Sequence, residues 1–418
     1  MYHKANPAQP QETELIPTKH AFKSSIYIII GKIFAILGSF AAVTVLANAV
    51  PKEVAGTYNY VIAAFSIISI TTLPGMNNAL ARAVAQGNDG NVNSALRKRF
   101  FFGSFGIIIS VIIGLIQFYL GHKELGIAFL IVAPFVPLTD TMSNLTTSFW
   151  QGKKDFKKSA LYNATYYLLF SALNILVFIT THNIYFILVG VLIGQTIAGI
   201  LVFQSIKREN TTYDPIAEKL GYHLTIMQGF RTFASNIDRV IVWHLAGPAM
   251  VAAYTFAATP VFKVYQLLPV GAVTLPHLSN HQFTHETKRM ITKKAFSLFF
   301  ISIPLVIIAI TIAPFVYSIL FPKYPESVHY FQVLIASLVF MPSLLIDAAL
   351  TAFHKTNILY ITEIGIPLIK IALMIIGGYY FGMKGIVWGI FASACIDFLT
   401  TTTLFLLAPT DIQTTGKN

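Results

Sequence analysis

Apolar runs of at least ~18 residues recur from one end of this chain to the other, each long enough to cross about 30 Å of hydrocarbon as a helix. A backbone surrounded by lipid must satisfy its own N–H and C=O groups, which leaves only helices and closed barrels. The runs are continuously apolar and lack the two-residue alternation of a barrel strand, so the chain is expected to be an all-α polytopic membrane protein. Twelve runs can be read, centred between Phe34 and Phe391, with the stretch from Pro248 to Leu278 the least regular. Composition agrees: 55% of the 418 residues are hydrophobic and 11% charged, where soluble domains carry about a quarter charged residues.

Orientation follows from the lysines and arginines outside the runs. With the N-terminus in the cytoplasm, the basic clusters (Arg97, Lys98, Arg99; Lys153, Lys154, Lys157, Lys158; Lys288, Arg289, Lys293, Lys294) all fall inside. The opposite side holds only Lys52, Lys123, Lys323 and Lys384. Cytoplasmic loops carry that excess, so both termini are expected in the cytoplasm. The net charge of +12 is then a consequence of topology, and no nucleic-acid partner is expected. Residues 1–21 contain Pro7, Pro10 and Pro17 and lack the order of a signal peptide; they read as a disordered cytoplasmic tail, with residues 408–418 as a second tail. Cys395 is the only cysteine, which rules out an intramolecular disulfide.

The longest charged interruption near the middle runs from Gln204 to Gly221 and follows six apolar runs. It divides the chain into a six-helix bundle over 22–207, a cytoplasmic linker over 208–221, and a second six-helix bundle over 222–407. A faint repeat supports the division: Ala55-Gly56-Thr57-Tyr58 corresponds to Val251-Ala252-Ala253-Tyr254, and the same offset pairs Phe34 with Phe230 and Lys32 with Gln228. Two such bundles would enclose a central cavity.

Several short motifs carry a family resemblance: Gly56-Thr57-Tyr58, the run from Pro74 to Arg82, Phe149-Trp150-Gln151-Gly152, and Asn236-Ile237-Asp238-Arg239 before Tyr254. Over about 22–407 the chain resembles a Wzx-type polysaccharide flippase of the multidrug/oligosaccharidyl-lipid/polysaccharide (MOP) exporter superfamily. The resemblance implies movement of an undecaprenyl-diphosphate-linked oligosaccharide, such as an O-antigen repeat unit, from the inner to the outer leaflet of a bacterial inner membrane. It also implies a cationic cavity that opens alternately to each side. Membrane lipids, the polysaccharide polymerase and the chain-length machinery come with it as partners. No enzymatic role is expected, because the outward connections are too short for a catalytic domain and no Walker loop is present.

Ten ionisable side chains lie within the apolar runs. A charge in a membrane is costly and faces a partner or water, so the set reads as a polar pathway. Lys32, Arg231, Arg239, Lys263 and Lys370 are candidates for a cationic, diphosphate-binding cavity; the bland alternative for each is a structural ion pair or, for Lys32, a snorkelled side chain. Gln228, Arg231, Ser235 and Asp238 stack on one helical face. Asp238 and Arg239 are neighbours pointing about 100° apart, so one of them serves structure. Asp140, Asn144 and Thr147, followed by Asn163 and Asn174, offer a polar face to sugar hydroxyls, with Gln228 as a further polar candidate. Aromatic residues such as Tyr166 and Tyr167 either stack on sugars or belong to an interfacial belt.

Asp238, Asp347, Glu363 and Asp397 are candidates for ion coupling, or for partners of the five cations, because a carboxyl in low dielectric holds protons more tightly. Transported H+ or Na+ is the only small ion the sequence implies, and no cofactor is expected. His277, His281 and His285 recur every four residues, but their place at the end of an apolar run and the missing glutamate argue against a metal site. The competing class is a multidrug/cation antiporter, whose cationic cargo would favour an acidic cavity.

Overall fold

The structure, a computed structural model, describes residues 18–267, 283–353 and 355–410. The remainder, including most of both expected tails together with His277 and His281, lies outside the described residues.

Among the described residues every regular element is helical. The first half of the chain contains α1 (Thr18–Ala49), α2 (Lys52–Ile68), α3 (Met76–Ala85), α4 (Asn91–Tyr119), α5 (Lys123–Val132), α6 (Thr141–Gly152), α7 (Phe156–Thr180) and α8 (Ile184–Phe203). The second half contains α9 (Pro215–Ala246), α10 (Pro248–Leu267), α11 (His285–Leu320), α12 (Glu326–Ala336), α13 (Ser343–Ala352), the short α14 (Thr356–Tyr360) and α15 (Ile366–Leu407). Among the described residues seven helices are long and apolar enough to cross a membrane, or eight if the pair α12–α13, bent by 43°, counts as one span. The chain is a multi-pass membrane protein. Large apolar side chains on α11, among them Phe300, Leu305, Ile312 and Phe315, point outward, as lipid-facing residues do.

Several expected spans are broken, and the breaks have local causes. After α2 a 3-10 turn, Ser69–Thr72, leads to Leu73 in the left-handed region (φ 56°) and then to Pro74. Proline disfavours the right-handed helical conformation in the residue before it. Gly75 follows because nothing larger fits: a Cβ there would lie 2.3 Å from the Thr225 nitrogen of α9. A second break separates α5 from α6 at Asp140, also left-handed with φ 56°. In the second half, a five-residue π-helical turn, Ile361–Gly365, precedes α15, and Gly382 (φ 58°) kinks α15 itself. Residues held in uncommon backbone conformations concentrate where a protein does something other than pack.

In lipid, helices gain little from apolar burial and associate through close van der Waals contact between small residues. The α2–α10 contact follows that rule, since a Cβ on Gly56 would stand 1.8 Å from the Pro248 carbonyl oxygen. The largest buried apolar cluster is shared by both halves and includes Leu46, Val61 and Leu188 with Tyr254, Phe256 and Tyr317. At the end of the helices that carries Lys52, the halves are tied by polar contacts as well. Lys52 pairs with Glu326 at 3.0 Å, Asn48 donates to the Leu320 carbonyl at 2.8 Å, and Lys323 donates to the Asn48 carbonyl.

At the opposite end, near Lys153, the connection between α8 and α9 is docked on the first half. The Glu209 N–H donates to Asp89 Oδ2 at 2.9 Å, the Gly90 N–H donates to the Thr212 carbonyl, and Asn91 exchanges hydrogen bonds with the Asp214 backbone. Lys153 bridges buried Asp89 and Glu209, each at 2.9 Å.

Candidate functional site

A cavity of about 660 Å³ lies between the halves. Its walls come from α1, α2, α4, the Asp140 break, α6, α7 and α8 on one side and from α9 and α10 on the other. Both broken spans reach it: Thr72 and Pro74 from the first break and Asp140 from the second are lining residues. The repeat noted in the sequence is visible here too. Ser39 and Asn59 line the cavity from the first half, and Ser235 and Thr255, at the same offset, line it from the second.

Of the five cations singled out in the sequence, two reach this cavity. Arg239 donates from Nη1 to Asn236 Oδ1 at 3.1 Å, while its Nε is buried without a partner among the described residues. Lys263 projects from α10 beside Thr255 and Thr259, and among the described residues neither cation is in an ion pair. Lys32 is exposed and is not a lining residue; it lies seven residues before Ser39, hence on the same helical face nearer the start of α1. Arg231 stands outside, largely exposed, with Nη2 3.1 Å from both oxygens of Glu363. Lys370 lies behind α10 in a separate cavity of about 310 Å³ with Tyr254, Phe262 and Tyr265.

A cation the sequence reading assigned to the cytoplasmic surface belongs to the cavity instead. Arg99 is 2% exposed and lines it. Its guanidinium donates from Nε to the Thr72 carbonyl at 2.9 Å, from Nη1 to Asn77 Oδ1 at 2.6 Å and from Nη2 to Thr72 Oγ1 at 3.3 Å. The signal was present in the spacing. Arg99, Gly103, Gly106 and Ser110 form the buried, small-residue face of α4, so the last of the three consecutive basic residues turns inward.

The adjacent pair on α9 separates as helical geometry requires. Asp238 is fully buried on the side away from the cavity, where its Oδ2 accepts from the Tyr254 hydroxyl at 2.6 Å. It does not line the cavity, whereas Arg239 does. The polar candidates also divide. Asp140, Asn144 and Asn174 line the cavity; Thr147, Asn163 and Gln228 do not. Thr147 returns its hydroxyl to the Ser143 carbonyl of its own helix. Asp140 precedes the first residue of α6, so it does not belong to one continuous stripe with Thr147.

The remaining carboxylates gather in the second half. Asp397 accepts from Ser343 at 3.1 Å and from Thr401 at 3.3 Å, and one oxygen of nearby Asp347 is buried without a partner among the described residues. Glu363 is taken up by Arg231. Among the described residues no group of three or more His, Cys, Asp or Glu is placed to hold a metal ion.

Comparison with known proteins gives this arrangement its family. Residues 21–282 match the model of a family described as polysaccharide biosynthesis protein. The chain belongs to that family. Among solved structures, the lipid II flippase MurJ in an inward closed conformation superposes with a TM-score of 0.67 at 16% identity, covering 92% of this chain and 87% of that one. An inward-facing multidrug resistance MATE transporter of the MOP superfamily gives 0.65 at 13% identity, with 93% and 97% covered. A MOP superfamily transporter from Pyrococcus furiosus, described as having a binding pocket of reverse polarity, gives 0.61 at 14% identity, with 93% and 95% covered. At these identities the likeness is one of fold: this member of the polysaccharide biosynthesis family has the MOP transporter fold. No curated protein sequence matches the chain.

Proposed function

We propose that this protein is a flippase that carries an undecaprenyl-diphosphate-linked oligosaccharide, an O-antigen or related surface-polysaccharide repeat unit, from the inner to the outer leaflet of the bacterial inner membrane. The observation that carries the proposal is the cavity chemistry. Arg239 and Lys263 face open space among membrane helices, among the described residues with no carboxylate in an ion pair with either, and Arg99 adds a third positive charge. An unpaired membrane charge is costly, and a mobile diphosphate offsets that cost. Forked guanidinium donors suit phosphate oxygens. A cavity with three cations against one carboxylate, Asp140, is the opposite of what a cationic drug requires, which counts against the antiporter.

In this reading the chain forms twelve membrane spans in two six-helix bundles, the broken helices α2–α3, α5–α6 and α12–α13 each counting as one span and α15 contributing to two across Gly382. Both termini are cytoplasmic and the Lys52 end is outside. The contacts around Lys52 then seal the outer side, and the cavity takes cargo from within. The sugars and diphosphate cross in the cavity while the polyprenyl tail stays in lipid. With the cell interior negative, moving two negative charges outward is favoured by roughly 4–5 kcal/mol per 100 mV before protein charges are counted. If the three cations neutralise the cargo, that bias shifts to the return of the empty, cationic cavity, and entry of H+ or Na+ at the second-half carboxylates completes the cycle. No covalent chemistry is performed on the cargo.

Deletion of the gene followed by analysis of lipid-linked oligosaccharide tests the proposal. Accumulation of completed glycan that never reaches the surface is the expected result. Normal surface glycan with altered drug sensitivity would reject it in favour of an antiporter.

A further inference from the structure

The walls of the cavity differ in charge: three cations line it, one of them Arg99 on α4, against one carboxylate. Arg239 and Lys263 stand on the α9–α10 wall, whereas the α6–α8 wall is built around Asp140. Asp140 occupies the left-handed conformation at a helix break, which aspartate tolerates better than most residues. Its Oδ1 accepts from the Tyr166 hydroxyl at 2.8 Å and from Gln195 Nε2 at 2.9 Å. Those two bonds fix the carboxylate, and among the described residues Oδ2 receives none. Two turns along α7 from Tyr166, Asn174 also lines the cavity, is 5% exposed and among the described residues keeps Oδ1 without a hydrogen-bond partner. No cation forms an ion pair with Asp140 among the described residues, although the guanidinium of Arg99, held by Thr72 and Asn77, is near enough for the two charges to attract.

From this arrangement we infer that the α6–α8 wall is a saccharide subsite selective for charge: Asp140 admits a neutral or amino sugar next to the diphosphate and rejects a uronic acid. The inference rests on the diphosphate-glycan reading and adds the identity of the sugar class. A held carboxylate with a free oxygen accepts from sugar hydroxyls or from an ammonium group. A sugar carboxylate at that position faces a like charge in a setting less screened than water. Two of the three cavity cations, Arg239 and Lys263, draw the diphosphate toward the opposite wall and set the glycan against Asp140.

The test uses the purified full-length protein in lipid nanodiscs and isothermal titration with short-chain prenyl diphosphates, either bare or linked to glucose, glucosamine or glucuronic acid. The expected order is glucosamine at least as tight as glucose, with the glucuronate conjugate weaker by about tenfold or more. Asp140→Asn should bring the three conjugates to within about twofold of one another. Asn174→Asp, which adds a second negative charge to the same wall, should weaken the glucuronate conjugate further. Equal affinities in the unmodified protein, or an unchanged order in Asp140→Asn, would overturn the inference. If Asp140→Asn does not fold, the unmodified protein and Asn174→Asp decide the question. Failure of the bare prenyl diphosphate to bind would instead remove the diphosphate reading, and the charge selectivity with it. Binding of the bare compound with a flat sugar order removes the selectivity alone.

Discussion

The two halves of the chain bury their polar groups in different ways. The first half turns its interior toward the shared cavity, so that Arg99, Asp140, Asn144 and Asn174 all contribute to one site. Among the described residues the second half presents only α9 and α10 to that site. Its other charges are withdrawn: Lys370 into the cavity behind α10, Asp397 onto Ser343 and Thr401, and Glu363 onto Arg231. The difference argues for a division of labour in which cargo is recognised between the halves and the transport cycle is driven from within the second.

The largest effect that sharpens this comparison is expected at Arg239. Arg239→Ala should lower glycan export by about a hundredfold or more, at near-normal membrane abundance, because a forked contact to a diphosphate is lost from a site with few substitutes. Arg239→Lys should rescue part of the loss. Lys370→Ala should leave prenyl-diphosphate affinity within about twofold, since the lysine sits behind the cavity wall. Equal losses from Lys370→Ala would mean that the two cavities act as one.

Next in size are the second-half carboxylates. Asp347→Asn and Asp397→Asn preserve shape while fixing neutrality, and each should retain cargo binding while reducing the response to an imposed ion gradient in reconstituted vesicles by about tenfold. If both keep the parental gradient dependence, coupling lies elsewhere and the proposed division fails.

Much of this was legible in the sequence, and the exceptions share a physical cause. Run length and the need to satisfy backbone groups were enough to specify a helical membrane protein, and short motifs pointed to the family. Helical periodicity required Asp238 and Arg239 to face different ways, but only the packing of Tyr254 decides which one is buried. Periodicity failed where a helix is interrupted. The stripe from Asp140 to Thr147 presumed one continuous helix, whereas the left-handed Asp140 precedes α6. Glu363, read as either an ion-coupling carboxyl or a partner of one of the five cations, sits in a π turn and pairs with Arg231, a choice that periodicity alone could not make. Charge bias along the sequence likewise treated Arg99 as one more surface cation, although its helix turns it into the cavity.

A third prediction concerns the docked connection near Lys153. Asp89 is fully buried and its Oδ2 depends on Lys153 and the Glu209 N–H. Lys153→Met should therefore loosen the connection by about 3 kcal/mol, the scale for stranding a buried charge, and limited proteolysis between α8 and α9 should detect it. Burial works against the charged form of Lys153, but hydrogen bonds to Asp89 and Glu209 outweigh it and raise its pKa above the ordinary 10.5. The stabilisation is thus fully present below the unfolded lysine's value and is lost only as pH rises through the higher folded one. Cleavage rates in the unmodified protein should stay constant from neutral to mildly alkaline pH and increase only under strongly alkaline conditions.

The smallest effect is expected at Arg231 and Glu363, and it tests the comparison most directly. Their side chains are 72% and 43% exposed, so the pair is not enclosed by protein and its contribution to stability should be no more than about 1 kcal/mol. Arg231 is two turns from Arg239 on the same helix, yet it is not a lining residue of the cavity and its charge is already met by Glu363. Arg231→Ala should accordingly reduce export by no more than about threefold, and the exchange Arg231→Glu with Glu363→Arg should restore most of that loss. Export assays on the two single variants and the exchanged pair make the check. If Arg231→Ala proves as damaging as Arg239→Ala and the exchange does not recover activity, the cargo path extends beyond the present cavity along α9, and recognition cannot be assigned to the space between the halves alone.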